Sequence, residues 1–115
     1  MLKIAKEEKQ YRVELFQVNK LNTLFSDLVR QQLIGLVEQP GISVIFNLEG
    51  IRFIDSAGFG VLMEVSALAR EAGSELLLCN ITDDVRELIN LMELENRFTF
   101  STCEHSREKI LPVLD

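Results

Sequence analysis

Residues 44–46 read Val-Ile-Phe, three bulky apolar side chains in succession inside the run from Ile42 to Leu48. Neighbouring side chains of a strand point to opposite faces, so such a run is satisfied only where both faces are covered. This segment is therefore expected at the centre of a sheet. The segments before it have a different period. Leu2 and Ile4, then Tyr11, Val13 and Leu15, alternate with polar residues, and the charged stretch Lys6 to Gln10 between them has the length of a hairpin loop. Two half-exposed antiparallel strands are expected there.

Between hairpin and central strand the spacing becomes helical: Leu21, Leu24, Phe25, Leu28, Val29, Leu33, Leu36 and Val37 share one stripe, and Pro40-Gly41 is the stop. A second helix follows Asp55, with Phe59, Leu62, Val65, Leu68, Ala69 and Ala72 inward and Gly73 at its end. Glu75 to Cys79 is a further short strand. Thr82 caps a third helix, with Asp83 and Asp84 beside the positive end of its dipole and Val85, Leu88, Ile89 and Met92 facing inward. Phe98 to Phe100 is expected as a last strand and Ser106 to Leu114 as a last helix, interrupted by Pro112. Strands alternating with helices after an opening β-hairpin specify an α/β domain with helices packed on a mixed, mostly parallel β-sheet.

A chain of 115 residues has material for one core, so residues 1–115 are read as a single domain. No apolar run approaches the roughly 20 residues that cross a bilayer, and the start of the chain is charged, so no membrane insertion and a cytoplasmic location are expected. Cys79 and Cys103 lie far apart in sequence and belong to no Cys/His cluster; neither a disulfide framework nor a zinc site is indicated, and Cys79 reads as a small buried hydrophobe. The net charge of −6 opposes direct nucleic-acid binding and points to protein partners. Residues 1–40 hold six basic and five acidic groups, whereas 41–115 hold six and thirteen. A partner docked on the second part must tolerate acid.

The stretch from Phe53 to Leu62, Phe-Ile-Asp-Ser-Ala-Gly-Phe-Gly-Val-Leu, joins the central strand to the second helix. It puts the Ser56 hydroxyl at a helix N-terminus, where unpaired amides and the dipole favour negative charge, so a phosphate on Ser56 is accommodated. Gly58 and Gly60 present no side chain to an approaching surface. On spacing alone, Asp55 or Ser56 is better explained as a simple N-cap, and Gly58 is open to explanation as a close-packing residue.

Asp55-Ser56-Ala57-Gly58, followed by apolar Phe59, small Gly60 and an aliphatic helix, resembles the signature of the STAS domain as found in bacterial anti-sigma factor antagonists, and the order of elements resembles that family throughout the chain. The resemblance implies a switch that acts by stoichiometric binding. The unphosphorylated antagonist binds an anti-sigma factor and frees the sigma subunit; that anti-sigma factor is commonly a serine kinase, and a metal-dependent serine phosphatase reverses the step. Carried over by position, Ser56 is the phosphoacceptor, Asp55 its acidic neighbour, and Ala57, Gly58, Phe59 and Gly60 belong to the partner-binding stretch, with Met63 and Glu64 as weaker candidates one turn on. Members often carry Gly and Asp between the second strand and the first helix. Here Asn22 occupies roughly the acidic position, and Ala57 replaces a second hydroxyl residue found in some relatives. The resemblance implies no cofactor, and self-association as a homodimer is left open.

Other STAS proteins serve in lipid-transport ATPases, stressosomes or transporter tails, an alternative that retention of Ser56 disfavours. A two-component receiver has similar length, but its acidic cluster and the Lys after its last strand have no counterparts here: Glu7 and Glu8 fall in the hairpin loop and Ser101-Thr102-Cys103 follows the last strand. Catalysis is not expected. His105 is the one histidine and sits in a polar stretch, and adjacent Asp55 and Ser56 do not flank a histidine as a serial triad requires. Asp83 and Asp84 are explained as dipole partners rather than metal ligands, and Gly58-Phe59-Gly60 lacks the spacing of a nucleotide-binding loop.

Overall fold

The computed structural model describes residues 2–102. The chain opens with an antiparallel hairpin, β1 (Leu2–Glu7) and β2 (Gln10–Leu15), in which Leu2 pairs with Leu15 and Glu7 with Gln10. The turn is only Glu8-Lys9, tighter than the charged run suggests, because half-exposed strands tolerate charged residues on the outward face. Next come β3 (Lys20–Leu21), α1 (Thr23–Val37), β4 (Ser43–Asn47), β5 (Phe53–Ile54), α2 (Ser56–Glu71), β6 (Glu75–Cys79) and α3 (Asp83–Leu91). A 3-10 turn over Glu95–Arg97 leads to β7 (Thr99–Phe100).

The main sheet has the order β1-β2-β4-β6-β7, antiparallel only between β1 and β2. β4 is central as expected, and Val44, Ile45 and Phe46 are all buried, at 0%, 8% and 0% exposure. Val13, Val44, Phe46 and Leu78 form one core with Val29 and Leu33 of α1, Phe59, Leu62 and Val65 of α2, and Val85 and Ile89 of α3. On the opposite face Ile45 and Cys79 form a smaller cluster with Leu77 beside them.

Helix ends follow local chemistry. Gly73 at φ 79° closes α2, and the Ser74 amide donates back to the Ala69 carbonyl at 2.7 Å. Thr82 Oγ1 accepts the Val85 amide and donates to the Ile51 carbonyl at 2.7 Å, fixing α3 to the segment before β5. Met92 does not join the inward stripe: α3 stops at Leu91, Glu93 turns the chain at φ 57°, and Leu94 takes the buried place. Leu24 and Leu28, expected on the inward stripe of α1, are exposed. Cys79 is buried at the end of β6, but it is disulfide-bonded. Its burial agrees with the expectation of a small buried hydrophobe, and its disulfide corrects the expectation that no disulfide is indicated, which rested on sequence spacing alone. The helix expected over Ser106 to Leu114, with Cys103 and His105, lies outside the described residues.

Candidate functional site

A second, two-stranded sheet builds the site. β3 and β5 run parallel, Lys20 beside Phe53 and Leu21 beside Ile54. The Arg52 amide donates to the Asn19 carbonyl at 2.7 Å and the Asp55 amide to the Leu21 carbonyl at 3.2 Å. Each strand ends at a helix, so this sheet sets the N-termini of α1 and α2 side by side.

Each helix then takes a side-chain cap. Asn22 Oδ1 accepts the Leu24 amide at 3.1 Å, and Asp55 Oδ1 accepts the Gly58 amide at 2.8 Å. Asp55 also reaches across: its Oδ2 accepts the Thr23 amide and the Thr23 hydroxyl, both at 3.1 Å. The Gly58 amide foremost, then the Thr23 hydroxyl and amide and the Ala57 amide, hold the Asp55 carboxyl below its ordinary pKa, outweighing the opposing effect of burial. Asp55 is thus engaged by both helix heads.

Ser56 is the first residue of α2 and is exposed. Ala57 and Gly60 are half-buried beside it. Gly58 is buried, and a Cβ there would meet the Leu21 carbonyl oxygen at 2.7 Å and Ile54 Cγ2 at 2.8 Å, so its place is explained by close packing of α2 on β3 and β5. At Gly60 a Cβ would meet nothing within 4 Å. Phe59, assigned to the contact stretch, points its ring into the core at 1% exposure, with the Phe98 ring 6.3 Å away. Met63 is half-buried against the core. Glu64 is exposed and takes two hydrogen bonds from Arg30 of α1, Nε to Oε1 at 2.8 Å and Nη2 to Oε2 at 2.7 Å.

Three large apolar side chains on the segments that lead into or form α1 and α2 are exposed, and the sequence had not assigned them to the site. Phe53 lies three residues before Ser56 at 46% exposure; Leu24, adjacent to Asp55's partner Thr23, is 81% exposed; and Leu28, one turn along α1, is 41% exposed. The missed signal is the width of the α1 stripe. Leu24 and Leu28 fall at its edge while Val29 and Leu33 take the centre, and only the neighbouring helix decides which side is covered. Among the described residues, no group of three or more His, Cys, Asp or Glu side chains is placed to hold a metal ion, and no helix is long and apolar enough to cross a membrane.

A sequence model of the STAS domain matches residues 5–108. The chain belongs to the STAS domain family. In sequence this STAS domain is 27% identical over 70 residues to an anti-sigma F factor antagonist of Paenibacillus polymyxa, a match spanning 60% of each chain. In structure it is similar to an anti-sigma-factor antagonist (STAS) domain protein of Planctomyces limnophilus, with a TM-score of 0.76 at 15% identity over 91% of this chain and 93% of that one. It is also similar to the Bacillus cell fate determinant SpoIIAA in its phosphorylated form, with a TM-score of 0.66 at 19% identity over 96% and 99% of the two chains. The structure of SpoIIAA in its unphosphorylated form gives 0.69 at 16% identity over 96% and 97%. These structural likenesses establish the STAS fold, single, α/β and mostly parallel with an antiparallel opening hairpin.

Proposed function

We propose that this STAS domain is an anti-sigma factor antagonist whose binding is switched off by phosphorylation of Ser56. The unphosphorylated chain binds an anti-sigma factor with serine kinase activity and so releases the sigma factor; a serine phosphatase restores the binding form. The chain supplies a placed hydroxyl and a docking face, while the phosphoryl-transfer machinery belongs to the partner.

The single observation that carries this reading is exposed Ser56 at the head of α2, which Asp55 ties to the head of α1, where Leu24 and Leu28 are exposed, with Phe53 exposed on the strand before it. A partner seated on those side chains buries the hydroxyl. Phosphorylation then places about −1.5 to −2 charges beside the Asp55 carboxylate, and burying them costs the complex its affinity without unfolding the domain. The amides at the start of α2 and its dipole accommodate the phosphate in the free chain.

The test is incubation with a kinase-type anti-sigma factor and ATP, followed by intact mass and site mapping, alongside binding measurements. Ser56→Ala is expected to bind and to take no phosphate. Ser56→Asp is expected to weaken binding by about tenfold or more, an interface penalty of at least about 1.4 kcal/mol. Phosphate transfer to the Ala variant would refute the assignment.

A further inference from the structure

Far along α2 from Ser56, Ser66 and Arg70, four residues apart and so on one helix face, look across a small cleft at Asn96 and Arg97 of the 3-10 turn and Thr99 of β7. The cleft encloses about 80 Å³, and its apolar floor comes from Leu76 and Phe98, which are 3% and 8% exposed. The ion pairs of the described residues use Arg12, Arg30 and Arg52; neither Arg70 nor Arg97 has a carboxylate partner among them. In a chain with net charge −6, a cleft lined by two guanidinium groups against one carboxylate, Glu75, carries a local excess of positive charge.

We propose that this cleft binds a small tetrahedral oxyanion of the phosphate class. Two guanidinium groups repel each other until an anion lies between them, and each presents a planar fork of N–H donors matched to oxyanion geometry. The Ser66 and Thr99 hydroxyls and the Asn96 amide add uncharged donors for the remaining oxygens. The apolar floor keeps water from one side and so strengthens the charge–dipole contacts. Glu75 is the lining carboxylate. Its Oε2 accepts the Ser43 hydroxyl at 2.7 Å, which holds that oxygen toward β4, and its charge tempers affinity without cancelling both arginines. The enclosed volume suits a free ion; a phosphate carrying a nucleoside would leave its larger part unsupported. Ser66 is ten residues beyond Ser56, about 15 Å along the helix, so this site is independent of the proposed switch.

The experiment is an amide chemical-shift titration of the full chain with potassium phosphate, matched in ionic strength by potassium chloride. Saturable shifts confined to Ser66, Arg70 and residues 96–99 are expected with phosphate and absent with chloride. Arg70→Gln and Arg97→Gln should each raise the apparent Kd about tenfold, and Ser56→Ala should leave it unchanged. Glu75→Gln should lower it, a gain that damage to the fold would not produce. Shifts that grow linearly and match those in chloride, or an unchanged Kd in the Arg70→Gln/Arg97→Gln double variant, would overturn the proposal. So would adenosine monophosphate binding as tightly as phosphate, since the cleft would then be reading an ester.

Discussion

Asp55 and Thr23 stand 32 positions apart, yet a single oxygen of Asp55 accepts both the amide and the hydroxyl of Thr23 at 3.1 Å. The other oxygen caps α2 through Gly58 at 2.8 Å. One carboxylate therefore satisfies otherwise unpaired donors at the heads of two helices, and Ser56 is the next residue along. The acidic neighbour of the phosphoacceptor candidate is first of all the clamp that positions it. Asp55→Asn replaces one acceptor oxygen by an N–H₂ group facing other donors. We expect a lower Tm for this variant and a lower one still for Asp55→Ala, with Thr23→Val losing less because it removes one donor and keeps the backbone bond. Thermal unfolding followed by circular dichroism checks the order; an Asn variant as stable as the parent would remove the clamp.

The same bonds make a pH prediction. Asp55 has a folded pKa lowered by the Gly58 amide first and by Thr23 and Ala57 after it. A group depressed in the folded state contributes stability that is complete above its unfolded pKa, about 3.9 for aspartate, and is lost as pH falls through the folded value. The stability gap between the parent and Asp55→Asn should be flat from pH 7 to about pH 5 and should close progressively below about pH 4. Urea denaturation of both proteins across that range measures it. A gap that widens toward acid would show that the carboxylate is not preferentially charged in the folded chain.

Gly58 and Gly60 look interchangeable in sequence and are not. A Cβ at Gly58 collides with the Leu21 carbonyl oxygen at 2.7 Å, backbone that cannot swing aside, whereas a Cβ at Gly60 meets nothing within 4 Å. Gly58→Ala should cost about 1–3 kcal/mol, as overpacking does. Gly60→Ala should be neutral or stabilising by up to about 1 kcal/mol, because alanine is the better helix former. Loss of partner binding in a fully folded Gly60→Ala protein would then report on the interface alone, and chemical denaturation beside a binding assay separates the two effects.

These contrasts mark what was legible beforehand. Val44-Ile45-Phe46 required two covered faces, and β4 is the middle strand. The hairpin, α1, α2, β6 and α3 follow from period and cap residues, and the Asp55-Ser56-Ala57-Gly58 motif opens α2 as expected, although β5 of the small sheet, not the central strand, leads into it. β3 and β5 were not legible, because a two-residue pairing has no period to detect; Leu21 consequently read as helix although it is strand and fully buried. The cross-link from Asp55 to Thr23 depends on that small sheet and was hidden with it. The face of Leu24 was misjudged for a related reason: a hydrophobic stripe gives an axis, and the elements on either side decide which edge is wet; Phe59, which the stripe placed inward, is buried, and only the resemblance had put it in the contact stretch.

The exchange of roles between those two side chains makes the last prediction. Phe59 lies inside the motif but is 1% exposed against Phe98, while Leu24 lies outside it and is 81% exposed. Phe59→Ala should remove a core ring at a cost of about 3–5 kcal/mol, a large fraction of the 5–15 kcal/mol typical of a domain. Phe59→Leu should restore much of that loss, and binding should recover with folding. Leu24→Ser deletes a solvent-facing side chain, so its stability should stay within about 0.5 kcal/mol of the parent. If the exposed heads of α1 and α2 are the docking face, Leu24→Ser should still weaken binding to an anti-sigma factor about tenfold, because the apolar contact it supplies is buried only in the complex. Paired denaturation and calorimetric binding of the Leu24 and Phe59 variants decide the matter, and normal affinity in Leu24→Ser would move the docking face away from α1.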